Sequence, residues 1–146
     1  MAKRKLKIDP DFNFLLIGVA TPLQDYRLAW NINKTLHKGL MRVEDVVVVD
    51  AESQRQTSFS RYDYFEELTK SHFHLLRNRQ GTFLLLNEVK EMDYLLVVKG
   101  EYYMGRSVGM LKKLRQIESV QAVVSIPLAS IRSKHNLILD TPATDI

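Results

Sequence analysis

Three short runs in this chain are apolar at every position rather than at every second one: Val46-Val47-Val48-Val49, Leu84-Leu85-Leu86 and Leu95-Leu96-Val97-Val98. A strand with one wetted face alternates apolar and polar residues, so a strand that does not alternate needs cover on both faces. Such a chain has to place material on either side of a sheet. Its 146 residues and 45% apolar share are enough to do so within one ordinary domain.

Local signals give the order of elements. Residues 12–20 read as a strand stopped by Thr21-Pro22, with Thr21 as the expected N-cap, Pro22 as the first helical residue and Gln24 closing a capping box. That helix is expected to run to Lys38, with Gly39 as its stop. Leu23, Tyr26, Leu28, Ala29, Trp30, Ile32 and Leu36 fill a wide arc of it, which predicts burial on more than one side and makes Trp30 a core anchor. Strands are expected over 43–50, 57–65, 72–78, 82–86, 93–99 and 121–127, with a short edge at 137–139. A second helix is expected over 103–118, turning Val108, Leu111, Leu114 and Ile117 inward, with Gly105 and Gly109 allowing a neighbour to approach closely. The expectation is a single α+β domain over 1–146, with loose tails at 1–10 and 140–146. It has two βαβ-like units and three middle strands, forming a mixed, largely antiparallel sheet packed by two main helices.

The chain has no cysteine, which removes disulfides, thiolate nucleophiles and cysteine zinc sites. Its net charge is +4, and Lys3, Arg4, Lys5 and Lys7 cluster at the start. No helix-turn-helix, zinc-finger or RNP-like pattern follows them, which argues against nucleic acid as the partner. The apolar run from Phe14 to Ala20 is too short to cross a bilayer and lacks a cleavage pattern, so no membrane association and a cytoplasmic location are expected.

The segment Leu86-Asn87-Glu88-Val89-Lys90-Glu91-Met92-Asp93-Tyr94 resembles the motif that names the IPExxxVDY family of bacterial proteins. Leu-Asn-Glu stands for Ile-Pro-Glu and Met-Asp-Tyr for Val-Asp-Tyr. Asp25-Tyr26-Arg27-Leu28-Ala29-Trp30 with Asn33, and Ser133-Lys134-His135-Asn136-Leu137-Ile138, are similar to other parts of that family. The resemblance implies a cytoplasmic bacterial protein and no particular activity. Asn87, standing for the proline, puts in doubt a required rigid turn at that position.

Six residues are candidates for contact with a ligand or partner: Asp25, Arg27, Asn33, Glu88, Asp93 and Tyr94. Asp25 and Asn33 fall inside the apolar arc of the first helix, where a polar group needs a hydrogen bond. They either line a crevice beside Trp30 or serve the helix, Asp25 through its dipole and Asn33 through a backbone contact. Glu88 and Asp93 flank a polar connection and are two carboxylates of the kind that share acid and base roles, but spacing alone does not join them. His72 and His74 point to one face of a strand without a compelling third ligand, so no metal is expected. No catalytic residue and no cofactor are assigned.

These features favour a non-enzymatic binding or protein-interaction domain whose partner is a protein or a small molecule. Residues 111–126 are similar to the helix-to-strand passage of ferredoxin-like regulatory modules of the ACT type, which implies the alternative of a small-metabolite sensor. An enzyme without a recognisable motif is the third reading. The non-alternating strands also predict a homodimer: if both helices lie on one sheet face, the other needs a cover.

Overall fold

A computed structural model describes residues 13–137 and 139. In chain order the elements are β1 (Phe14–Ala20), α1 (Asp25–Leu36), β2 (Met41–Val49), β3 (Gln56–Glu66), β4 (Ser71–Arg77), β5 (Arg79–Gln80), β6 (Phe83–Leu84), β7 (Tyr94–Lys99), α2 (Ser107–Leu114) and β8 (Ala122–Ser125). The expected tails at 1–10 and 140–146 lie outside the described residues. So does Ile138 of the expected 137–139 edge; Leu137 ends a 3-10 segment, Arg132–Leu137, instead.

The fold is α+β. Six strands form one sheet in the order β2-β3-β4-β7-β1-β8, and every neighbouring pair is antiparallel. Strands β1 and β2 run the same way but have three strands between them, and β7 and β8 run the same way on either side of β1. The two βαβ-like units are therefore split, and the parallel component is one of direction without a bonded parallel pair. Taken as β8-β1-β7-β4 with α1 and α2, the core has the split βαβ order of a ferredoxin-like fold, extended at one side by β3 and β2.

Both helices lie on one face. Leu28, Ala29, Ile32 and Leu36 of α1 join Met110, Leu111 and Leu114 of α2 over Ile17, Phe73 and Leu96. Val108, expected inward, is 78% exposed, because Met110 takes the place beside Leu111 instead. A Cβ built at Gly105 or Gly109 meets nothing within 4 Å, so neither glycine serves a close helix approach.

The opposite face is covered by the chain itself. Leu85, Leu86, Val89 and Met92 from one segment, and Ile126, Ile131 and Leu137 from another, pack over Leu16, Leu76, Leu95 and Val97. Full burial of such a side chain contributes about 1.5–3 kcal/mol. The bare face that suggested a second copy is thus occupied within one chain. Gly18 permits the close fit: a Cβ there would stand 2.6 Å from Met92 Cγ and 2.9 Å from Ile126 Cδ1.

The first cover segment is tied down by Asn78, which is fully buried. Its amide nitrogen donates to the Val89 and Met92 carbonyls at 3.1 and 2.9 Å, and its side-chain oxygen accepts from the Leu86 amide at 2.8 Å. One side chain thereby bonds three backbone groups of the segment, and the Val89 carbonyl also accepts from the Met92 amide at 3.0 Å.

Candidate functional site

Helix α1 starts later than its capping signals suggest. Gln24 is the N-cap, with no side-chain cap bond, and its carbonyl accepts from the Arg27 and Leu28 amides. Thr21 does different work. Its hydroxyl accepts from the Leu23 amide at 3.2 Å and donates to the Ser119 carbonyl at 2.7 Å, joining the turn before α1 to the loop after α2. The helix ends at Leu36, with His37 in the left-handed region at φ 57°.

Five of the six candidate residues hold segments of the fold together. Asp25 accepts from the Tyr26 amide at 2.7 Å and lies 3.7 Å from the Arg77 guanidinium. Asn33 clasps Leu40, accepting from its amide at 2.7 Å and donating to its carbonyl at 3.1 Å, which fixes the link from α1 to β2. Asp93 accepts from the Thr21 amide at 2.9 Å and faces Arg79 at 3.8 Å. The Tyr94 hydroxyl donates to the Leu23 carbonyl at 2.6 Å; burial pushes its pKa up to about 12, against the pull of Arg77. Glu88 accepts from the Arg132 and Ser133 amides at 3.0 and 3.2 Å and from the Ser133 hydroxyl at 2.6 Å. The Ser133 hydroxyl and these amides hold the Glu88 carboxyl below its usual range. Glu88 and Asp93 are thus bonded to different partners and do not form a pair.

Arg27 is the exception, because it is exposed beside an open cleft. The cleft, about 460 Å³, is lined by Leu23, Tyr26, Arg27, Trp30 and Asn31 of the α1 region and by Glu118 and Ser119 after α2. Its rim is aromatic: Tyr26 is 62% exposed and Trp30 60%. Trp30 is therefore not the core anchor expected, and α1 is not buried on more than one side. Each residue advances about 100° around a helix, so Leu28, Ala29, Ile32 and Leu36 fall within one quarter-turn or so. Tyr26 and Trp30 fall on the far side. Counting only aliphatic residues around the wheel would have separated the two groups. Lys34 Nζ lies 5.1 Å from the centre of the Trp30 ring.

No protein-family model matches the chain, and no curated protein matches it closely.

Two other places bear on chemistry. A second concavity of about 480 Å³ lies near Val49, Arg55, Phe83, Asn87, His135 and Asn136. On the self-covered face, His74 is 1% exposed, and its Nδ1 lies 2.8 Å from Asp63 Oδ1. Arg61 donates to both Asp63 oxygens at 2.9 and 2.7 Å. Burial alone would raise the Asp63 carboxyl, but the bonds from His74 and Arg61 outweigh it and hold it low. Burial keeps His74 below its ordinary value against the attraction of Asp63, so the imidazole is neutral near pH 7. Among the described residues, His74 Nε2 has no hydrogen-bond partner. A carboxylate-oriented imidazole is a base in form, but a substrate has no access to a ring this deeply covered. The His72 and His74 rings stack 6.1 Å apart, and among the described residues no group of three or more His, Cys, Asp or Glu is placed to hold a metal ion. No helix among the described residues is long and apolar enough to cross a membrane.

Proposed function

We propose that this chain is a non-enzymatic binding domain that docks a protein partner on the solvent side of α1 and α2. The observation that carries this reading is the exposed Tyr26–Trp30 pair over an open cleft with Arg27 beside it. Trp, Tyr and Arg are the residues most enriched where protein interfaces concentrate their binding energy. A small-molecule site would enclose its ligand, whereas this cleft has an exposed rim. The cytoplasm is the proposed location. Membership of the IPExxxVDY proteins, and with it a bacterial origin, is proposed on the resembling segments. Glu88, Asp93, Tyr94, Asp25 and Asn33 all tie one segment to another, so a motif shared at these positions is a signature of the fold rather than of an active site.

The test is comparative capture from cell extract with the full chain, Trp30→Ala, and an Asn87→Ala control away from the cleft. A partner retained by the parent and the control but lost by Trp30→Ala supports the reading. A set of captured proteins unchanged by Trp30→Ala defeats it.

The split βαβ order favours a second reading, a homodimeric metabolite sensor of the ACT type. A second copy is best placed at the β2 edge. The Asp50 amide bonds the Arg55 carbonyl at 2.8 Å, and the register runs Val49 to Gln56, Val48 to Thr57 and Val47 to Ser58. Alternation then turns the N–H and C=O of Val47 and Val49 outward, under exposed side chains. At the other edge the Arg115 guanidinium occupies the Val123 carbonyl at 2.8 Å. Light scattering on a sizing column decides between the two: a monomer mass at high concentration removes this second reading.

A further inference from the structure

What docks on the helical face is constrained by its charge; this inference rests on the docking reading above. Residues 25–38 and 101–118 hold seven Lys or Arg and three Asp or Glu, a net +4 that equals the formal charge of the whole chain. The rest of the sequence sums to zero, its basic cluster at Lys3, Arg4, Lys5 and Lys7 being offset by acidic residues elsewhere, while the two helices and their flanks keep a local excess. Lys38 is ion-paired with Glu66, and Arg115 bonds the Val123 carbonyl. Among the described residues, Arg27, Lys34, Arg106, Lys112 and Lys113 form no salt bridge, and all five are exposed.

Apolar side chains stand among these cations at both ends of the helix pair. Tyr26 and Trp30 rim the larger cleft. At the other end a cleft of about 250 Å³ lies between Leu36 and Lys38 on one side and Tyr102, Arg106, Met110 and Lys113 on the other, with the exposed Val108 nearby on α2. Gly109 lines this cleft and has open space where a Cβ would be.

We propose that the partner element is an acidic amphipathic segment of a protein, laid along α1 and α2. Its carboxylates meet Arg27, Lys34, Arg106, Lys112 and Lys113, and its apolar side chains enter the two clefts. Opposite charge across the contact speeds encounter and selects the partner, while the aromatic anchors provide most of the affinity. A nucleic acid fits the same charge less well. Arg106 lies 3.9 Å from the Tyr102 ring centre and Lys34 lies over Trp30, so a cation already covers one face of each ring on which a base would stack.

Trp30 is the only tryptophan in the chain, so its emission reports binding at the cleft directly. The full chain is titrated with a synthetic amphipathic peptide carrying Glu on its polar face and Leu and Phe on its apolar face. The same peptide with Lys for Glu, and oligouridylate, are the comparison probes. The Glu peptide is expected to shift Trp30 emission, to bind about tenfold more weakly when salt screens the contact, and to lose about tenfold in Lys112→Glu/Lys113→Glu. Equal or tighter binding of the Lys peptide, tighter binding of oligouridylate, or no response to the Glu peptide overturns the proposal. A captured partner lost by Trp30→Ala but kept by Lys112→Glu/Lys113→Glu overturns the acidic character and leaves the docking surface standing. A partner kept by Trp30→Ala removes the docking surface itself.

Discussion

Tyr94 and Tyr26 sit on neighbouring parts of the molecule and are used in opposite ways. Tyr94 is 3% exposed, its ring is in the core and its hydroxyl is bonded to the Leu23 carbonyl. Tyr26 is on the outer side of α1, an aromatic ring left largely in water. The contrast extends to their surroundings. Residues 86–94 place Glu88, Asp93 and Tyr94 each on a backbone group of another segment, so their polar atoms are committed to closing the fold. The solvent side of α1 and α2 places Arg27, Lys34, Arg106, Lys112 and Lys113 with no ion-pair partner among the described residues. A polar residue with its hydrogen bonds already made contributes to stability. An exposed aromatic among unpaired cations contributes little to stability and is available for contact.

Perturbing the two regions should therefore give effects of different kind and size. The largest is expected at Asn78→Ala, which takes the side-chain partner from the Leu86 amide and the Met92 carbonyl, while the Val89 carbonyl keeps the Met92 amide. At about 1–3 kcal/mol for each of these two orphaned groups, with some relief from water entry, the loss should be roughly 3 kcal/mol, read from the urea midpoint. A loss below about 1 kcal/mol would mean that the 85–92 cover is held by apolar contact alone.

Acid should act next, and through the same self-covered face. Both pKa shifts in the Asp63–His74 pair are downward. A lowered carboxylate contributes stability above its unfolded pKa and loses it as pH falls through the folded value. A buried neutral imidazole is fully compatible with folding above its ordinary 6.5 and opposes folding as pH falls below that. Both therefore destabilise in the same direction. The urea midpoint should decline as pH is lowered from 7, and His74→Phe should flatten the upper part of that decline. A midpoint that rises on acidification contradicts the assignment.

Glu88→Gln should cost about 1 kcal/mol, as for loss of a helix N-cap, because Glu88 caps the 3-10 segment at Arg132–Leu137. Hydrogen exchange should rise in 126–137 while β7 stays protected. Protection unchanged in 126–137 would show that the carboxylate does not hold that cover. The smallest effect is expected at Trp30→Ala, within about 0.5 kcal/mol of the parent, where a core tryptophan would cost about 3–5. A core-sized loss would bring the two regions back to one kind.

Much of this architecture was legible locally. The non-alternating runs at 46–49, 84–86 and 95–98 called for cover on both sides of a sheet. That held for β7, where Leu95, Leu96, Val97 and Val98 are all buried. It failed for β2, where Val47 and Val49 are exposed because β2 is an edge strand of the sheet. Candidate residues were less legible. Asp25 and Asn33 were expected to serve the helix through nearby groups and do, at the Tyr26 amide and the Leu40 backbone, whereas Glu88, Asp93 and Tyr94 have partners 44 to 72 residues away that sequence separation hid. Asn78 gave no signal at all, because its three partners lie 8–14 residues away in a segment with no periodicity of its own.

By itself the sequence determined the kinds and order of elements, the absence of cysteine chemistry and the need for a two-sided sheet, since each follows from composition or from short-range periodicity. Tertiary structure decided which strand became the edge, which segment covered the second face and which side of α1 was left in water. Those outcomes depend on packing between residues far apart in the chain. A helix whose aromatic and aliphatic residues nearly encircle it can be buried on either arc, and α1 settled on Leu28, Ala29, Ile32 and Leu36 because that aliphatic arc fits over the sheet beside α2. Trp30 was then left outside, largely in water.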